Sequence, residues 1–229
     1  MPVELVVFDA YGTLFDVAGA ARAAAAEPGR EALAERWPAL SETWRLKQLQ
    51  YSWHRAVAAD HVDFWRVTCD ALDYALEAVG LGGDAELAER LRALYRALPA
   101  YPEVPAMLDA LAAAGRRAAI LSNGSPEMLD AAIRSAGLER RLEAALSVEE
   151  VGAFKPDRRV YALVERRLGV APERVLFVSA NGWDAAAAGA FGFHVLWVNR
   201  LGAPVDRLPE PPRHVATELS GAPALAAAL

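Results

Sequence analysis

Two patterns of apolar and polar residues succeed one another along the chain. Short and almost wholly apolar runs, bounded by turn residues, occupy five segments: 3–8, 117–122, 144–148, 174–179 and 194–199. Helical patterns fill most of the intervals between them: 104–114, 127–136, 158–168 and 183–191. Continuous apolar runs are typical of strands buried on both faces of a parallel sheet. Their alternation with helices predicts an α/β fold with a doubly wound, mostly parallel, Rossmann-like sheet.

One long interval breaks this alternation. From about 17 to 98 the periodicity is helical, with breaks that divide it into four predicted helices: 20–26, 30–58, 63–79 and 84–98. Pro38 should start or kink the second of these helices. The interval follows the first strand and precedes the second, so it is an insertion at the strand end where open α/β sheets bind ligands. We therefore predict a core domain of 1–16 and 99–229 and a helical cap subdomain of 17–98.

Composition and charge exclude several classes of partner. The 229 residues carry a formal net charge of −6, and no block of Lys and Arg stands out, which argues against nucleic-acid binding. Hydrophobic residues make up 54% of the chain, but many are alanines in helical patterns, and no run of about 18 apolar residues could span a bilayer. The N-terminus lacks the pattern of a signal peptide and Cys69 is a single cysteine, so we expect a cytoplasmic location.

Polar side chains gather in the loops that follow the first four predicted strands. These loops should converge at one edge of the sheet, and they contribute eight residues: Asp9, Thr13, Ser122, Asn123, Lys155, Ser179, Asn181 and Asp184. Each residue alone has an ordinary explanation as a turn or capping residue. Four polar loops at four strand ends together indicate a functional site.

The loop sequences are FDAYGTLFD, LSNGSP, FKPD and FVSANGWD, and the predicted cap contains WRLKQLQYSWHR. In this combination the chain resembles the haloacid dehalogenase-like hydrolases, and within them the L-2-haloacid dehalogenases. The resemblance extends over about 3–199. Most members of the wider superfamily are Mg²⁺-dependent phosphatases, with carboxylates where this chain has Tyr11 and Ala180. Mg²⁺ prefers carboxylate oxygen ligands, and this chain lacks them at both positions. We therefore predict a metal-free site without a cofactor.

The resemblance implies a role for each site residue. Asp9 is the nucleophile, and Lys155, Ser122 and Thr13 orient it or hold the substrate carboxylate. Arg45 binds the departing halide, which suits its diffuse cation. The other residues assigned to substrate contact are Tyr11, Leu49, Phe64, Asn123, Asn181 and Trp183, of which Asn181 also counts as catalytic.

Three further catalytic roles follow from the same resemblance. Ser179 and Tyr161 support Lys155, and Asp184 helps to activate water. By contrast, Glu149 and Glu150 are interpreted as surface or helix-start charges.

The implied reaction is hydrolysis of (S)-2-haloalkanoic acids to (R)-2-hydroxyalkanoic acids and halide, through an aspartyl ester on Asp9, by a homodimer. One alternative is a Mg²⁺-dependent phosphatase of the same superfamily, which Tyr11 and Ala180 oppose. The other is a non-catalytic module that binds small carboxylates. It is opposed by the joint presence of four residues: Asp9, Arg45, Lys155 and Asp184.

Overall fold

The computed structural model describes residues 2–229, which form one sheet of six parallel strands flanked by helices. The strands are β1 Leu5–Phe8, β2 Arg117–Ser122, β3 Ala144–Ser147, β4 Val175–Ser179, β5 His194–Val198 and β6 His214–Ala216. Their order across the sheet is β3-β2-β1-β4-β5-β6. Every residue of β1 is buried, as expected for a central strand covered on both faces. The predicted α/β class with a parallel sheet is confirmed.

The helices lie between and after these strands. They are α1 Gly19–Ala25, α2 Glu31–Ala34, α3 Trp37–Ala58, α4 Phe64–Ala78, α5 Ala85–Arg96, α6 Val104–Ala113, α7 Pro126–Ser135, α8 Arg158–Leu168, α9 Gly182–Phe191 and α10 Ala222–Ala228. The first six all lie between β1 and β2, and α1–α5 fall within 17–98. Helices α7, α8 and α9 each connect one strand to the next as parallel crossovers, which places the strand ends at one common edge, and α10 follows β6.

Two details differ from the sequence prediction. The predicted helix 30–58 is divided into α2 and α3, and Pro38 occupies the second position of α3, where a missing N–H removes no helical hydrogen bond. Strand β6 was not predicted. It has only three residues at the edge of the sheet, and Val215 is 52% exposed, so no buried apolar run marks it in the sequence.

Helices α3, α4 and α5 are held together by apolar packing and by a small buried polar network. Asp63 and Asp84 cap the N-termini of α4 and α5. Gln48 on α3 donates to the hydroxyls of Thr68 and Tyr95, each at 3.0 Å, which fixes α3 against α4 and α5. Within residues 2–229, no helix has both the length and the apolar character needed to cross a membrane.

Candidate active site

Asp9 lies directly after β1, on a tight turn that folds back on it. The turn needs Gly12 at φ +88°, in the region of backbone space that favours glycine. It returns the Thr13 hydroxyl to Asp9, where Oγ1 donates to Oδ2 at 3.1 Å. The same hydroxyl accepts the backbone N–H of Ala180 at 2.8 Å. Thr13 therefore connects the loops that follow the two central strands, β1 and β4, and fixes one oxygen of Asp9.

Lys155 bridges two carboxylates beneath the site. Its Nζ donates to Asp9 Oδ1 at 3.2 Å and to Asp184 Oδ2 at 2.8 Å, and the side chain is 1% exposed. Burial alone would lower the pKa of Lys155, but the charges of Asp184 and Asp9 outweigh it and raise that pKa above its usual value. Asn123 Oδ1 accepts the backbone N–H of Lys155 at 2.9 Å, which positions the segment. Lys155 is thus a fixed cation throughout the neutral range.

Asp184 lies in the first turn of α9 and is fully buried. Its carboxylate accepts from Tyr161 at 2.7 Å and from Ser179 at 3.1 Å, in addition to Lys155. Burial raises the pKa of Asp184, while the ion pair with Lys155 acts in the opposite direction. Burial and the neighbouring Asp184 raise the pKa of Tyr161 well above its usual value. Its hydroxyl therefore stays protonated and donates a hydrogen bond to Asp184. Together these groups anchor the Lys155 ammonium.

Asn181 precedes α9 as its N-cap, yet its side chain does not cap the helix. Its Nδ2 instead donates to Asp9 Oδ2 at 2.8 Å, and its Oδ1 accepts from Arg45 Nη2 at 3.1 Å. The same Nη2 donates to the backbone oxygen of Tyr11 at 3.2 Å. Arg45 belongs to α3, so these contacts bring a cation of the inserted helices to the nucleophile's loop. Other guanidinium N–H groups of Arg45 remain available to a ligand.

A small cavity of about 10 Å³, enough for about one water molecule, lies against Asp9. Its walls are Asp9 and the nine side chains that the resemblance assigns to substrate contact: Tyr11, Arg45, Leu49, Phe64, Ser122, Asn123, Lys155, Asn181 and Trp183. The four other predicted catalytic side chains do not line it. They reach the cavity through its lining residues, as Thr13 does through Asp9, Ser179 through Asn181, and Tyr161 and Asp184 through Lys155.

Tyr11 occupies the position where the phosphatases of the superfamily have a carboxylate. Its ring stacks on Tyr95 at 5.7 Å between centroids and lies 6.3 Å from Phe64. Gly124 allows this packing, because a Cβ there would be 2.8 Å from Tyr11 Cε2. Burial, Tyr95 and Asp9 raise the pKa of Tyr11 well above its usual value, so the phenol is neutral. This side of the cavity is therefore apolar and uncharged.

Glu149 makes contacts near the site that the sequence did not indicate. It lies in the first turn of a short 3-10 helix, Val148–Glu150, in agreement with its interpretation as a helix-start charge, but its side chain is partly buried. Its Oε2 lies 2.9 Å from His61 Nε2, and its Oε1 accepts the backbone N–H of Phe64 at 3.3 Å. Glu149 therefore ties the start of α4, and with it a wall of the cavity, to the sheet. The available signal was its position just after β3, at the same edge as the other site loops.

Comparisons with known proteins agree with this geometry. Residues 3–192 match the family model described as haloacid dehalogenase-like hydrolase. The chain is 45% identical to (S)-2-haloacid dehalogenase 1 of Pseudomonas sp. strain CBS-3, over 98% of this chain and 96% of that protein. It is 44% identical to (S)-2-haloacid dehalogenase 4A of Burkholderia cepacia, over 93% and 90%. The solved structure of L-2-haloacid dehalogenase from Xanthobacter autotrophicus with chloropropionic acid covalently bound matches at TM-score 0.85 and 39% identity, over 97% and 98%.

Proposed function

Since the chain belongs to the haloacid dehalogenase-like hydrolases, we propose that it hydrolyses (S)-2-haloalkanoic acids to (R)-2-hydroxyalkanoic acids and halide. The observation that carries this proposal is the state of Asp9. Both of its oxygens are hydrogen-bonded, Oδ1 to Lys155 and Oδ2 to Thr13 and Asn181, and the carboxylate faces an enclosed cavity with Arg45 in its wall. A fixed carboxylate that faces a cation across a small enclosed cavity suits displacement of an anionic leaving group.

In the first step an oxygen of Asp9 attacks C2 of the substrate from the side opposite the halogen. The carbon–halogen bond breaks, the halide leaves with the bonding electrons, and an ester joins Asp9 to C2 with inverted configuration. Ser122 accepts from the Gly124 N–H at 3.1 Å, so its own hydroxyl hydrogen is free to donate to the substrate carboxylate. Lys155 adds the positive charge that draws the substrate anion toward an anionic nucleophile.

The halide leaves toward Arg45 and Asn181. No proton is needed for this leaving group, unlike the leaving oxygen of a phosphate ester. The amide of Asn181 donates to Asp9 while its oxygen accepts from Arg45, which keeps the guanidinium beside the reacting carbon. A delocalised cation of this kind matches a large and weakly hydrated anion better than an ammonium does.

In the second step water attacks the ester carbonyl of Asp9. The bond between the carbonyl carbon and the ester oxygen that joins it to C2 breaks. That oxygen, which came from Asp9, leaves with the product and becomes its hydroxyl by taking up one proton of the water. The second proton is released to solvent, and the Asp9 carboxylate is restored with one oxygen from water. We propose that Asp184 supports this step from beneath. Its contact with Lys155 Nζ at 2.8 Å holds the ammonium against Asp9, where it stabilises the charge that develops on the carbonyl oxygen.

A halide-release assay with the separate enantiomers of 2-chloropropionate tests the proposed function. Release from the (S) enantiomer, with (R)-lactate as the product, is the expected result. A parallel screen of phosphate monoesters with and without Mg²⁺ addresses the phosphatase alternative. Phosphate release without halide release would establish a phosphatase, and neither activity would favour a module that only binds small carboxylates.

Turnover should survive exhaustive treatment with EDTA. Within the described part of the chain, no three His, Cys, Asp or Glu side chains are grouped to hold a metal ion, and the Lys155 ammonium lies between the two carboxylates of the site. A divalent cation between Asp9 and Asp184 would face that ammonium. The check is halide release before and after chelation, with Mg²⁺ added back. A loss that Mg²⁺ restores would contradict the metal-free site.

An Arg45→Lys variant should lower kcat/KM for (S)-2-chloropropionate by about 10²-fold. Lysine keeps the charge, but its single nitrogen would have to make every contact, whereas Arg45 reaches Asn181 and the Tyr11 carbonyl with Nη2 alone and keeps its other N–H groups for the halide. Arg55→Lys, on the same helix but paired with Asp60 and outside the cavity lining, is the matched control and should stay at the parent rate. If Arg45→Lys also kept the parent kcat/KM, Arg45 would not be the group that binds the departing halide.

Three finer points remain proposals that rest on sequence. We propose that 17–98 form a cap subdomain over a core of 1–16 and 99–229, in keeping with the contribution of Arg45, Leu49 and Phe64 to the cavity. A cytoplasmic location and a homodimer are likewise proposed from the sequence and its resemblance.

A further inference from the structure

An apolar groove of about 410 Å³ lies beside the cavity, on the outer side of Trp183. We call it the alkyl groove. It is formed by the second half of α3, by α9 and by 208–210, and its main walls are Trp53, Ala56, Val57, Pro156, Trp183 and Ala187. Its lining is almost entirely apolar, with Glu210 at one end. An apolar groove of this size next to an active site is a typical ligand site.

The walls of the cavity continue directly into the alkyl groove. On α3, Arg45 and Leu49 line the cavity, and Trp53 and Val57 follow at the same four-residue spacing to line the groove. Residues four apart share one face of a helix, so one face of α3 extends from Arg45 in the cavity to the exposed Val57 in the groove. The other two walls are also continuous between the two spaces. Lys155 lines the cavity and the next residue, Pro156, lines the groove, while Trp183 lines both.

Trp183 is the partition between the two spaces. Its ring meets that of Trp53 edge to face, at 5.3 Å between centroids and 87° between planes. The Nε1 atoms of both indoles are buried, and neither has a hydrogen-bond partner within residues 2–229. Turning the Trp183 ring therefore breaks no hydrogen bond to the described residues, unlike the movement of most buried polar side chains.

The cavity itself has no room for a long substituent on C2. Its volume of about 10 Å³ must expand even for a methyl group, and Tyr11, Phe64 and Leu49 close it on the apolar side. A longer alkyl chain whose carboxylate stays near Ser122 and Lys155 needs an apolar space that is continuous with the cavity. The alkyl groove offers that space across one movable side chain.

On the basis of the proposed function, we infer that the alkyl groove is the subsite for the hydrocarbon chain of medium-chain (S)-2-haloalkanoic acids, with Trp183 as its gate. The carboxylate and halogen of such a substrate occupy the cavity, while the chain passes Trp183 and lies between α3 and α9. Burial of each methylene in this groove contributes to binding, so the enzyme should accept eight-carbon substrates as well as three-carbon ones.

The test compares two substrates that differ only in chain length, (S)-2-bromopropanoate and (S)-2-bromooctanoate. Ala187→Phe fills the groove, and Val57→Asp places a charge at its rim without disturbing the fold, since Val57 is 90% exposed. Each variant should lose about tenfold or more in kcat/KM for the long substrate and stay within about twofold of the parent for the short one. Leu201→Asp, at a residue 94% exposed and outside the groove, should change neither.

The outcomes separate this inference from the proposed function. If the parent releases bromide from the short substrate but not the long one, or if the variants treat both alike, the alkyl subsite is wrong and the proposed function stands. If no substrate releases halide, the proposed function fails. Calorimetry with octanoate then tests whether the groove binds an alkyl chain. Weaker binding of octanoate by Val57→Asp than by the parent would support alkyl binding in the groove, and equal binding would overturn it. Dissociation of a dimer by Val57→Asp with an unchanged chain-length profile would assign the groove to an interface between copies.

Discussion

An Asp9→Asn variant should lose at least about 10⁴-fold in kcat/KM for (S)-2-chloropropionate. The amide has nearly the same shape as the carboxylate but carries no charge and is a very poor nucleophile. It also removes an acceptor from one of the contacts with Thr13, Asn181 and Lys155. Initial rates of halide release measure the effect.

Asp16→Asn provides the control for this change. Asp16 lies on the same segment after β1 but pairs with Arg22 and lies outside the cavity lining, so its variant should keep the parent rate. Thermal unfolding of both variants checks that the fold is intact. Activity of a folded Asp9→Asn protein above about one percent of the parent would remove Asp9 from the role of nucleophile.

A Lys155→Met variant should lose both activity and stability. Methionine fills the space but leaves Asp9 and Asp184 as buried carboxylates without their cation, and breaking a buried ion pair in this way costs about 3–5 kcal/mol. We expect turnover to fall by about 10³-fold, because the charge that holds the substrate carboxylate and the ester oxygen is lost. The other lysine of the chain, Lys47, serves as the control, and Lys47→Met should keep both properties.

The loss of stability in Lys155→Met should depend on pH. Without the ammonium, the pKa of Asp184 in the folded variant lies further above its value in the unfolded chain, because burial and the charge of Asp9 both raise it. A group with a raised folded pKa binds more protons in the folded state, so stability falls as pH rises through that pKa. Urea unfolding should therefore show a smaller difference from the parent at pH 5 than at pH 8. An equal difference at both values would contradict this account of the ion pair.

The sequence was sufficient to predict those parts of the site that depend on strand ends. Asp9, Ser122 and Asn181 each follow a buried apolar run, and parallel strands bring such ends to one edge. The place of Arg45 came from the resemblance, since a single helix arginine looks like a surface residue. Its contact with Asn181 spans 136 positions and depends on how α3 docks against the sheet.

What the sequence could not predict depends on contacts between distant segments. The contacts of Glu149 could not be predicted, because its partners, His61 and the Phe64 N–H, belong to another part of the chain. Two features of the fold were not predicted for a related reason: the division between α2 and α3, and the short strand β6. Neither is marked by a local apolar pattern of its own. The alkyl groove likewise exists only where two helix faces meet.

The measurement that tests the central claim most directly is a single turnover in H₂¹⁸O. Enzyme in excess over (S)-2-chloropropionate is allowed to react once, and mass spectrometry locates the label in lactate and in the peptide that contains Asp9. If the substrate forms an ester on Asp9, water attacks the ester carbonyl, so ¹⁸O should enter the Asp9 carboxylate while the lactate stays unlabelled. Label found mainly in the lactate, with an unlabelled Asp9 peptide, would show direct attack of water on C2 and would contradict the ester mechanism.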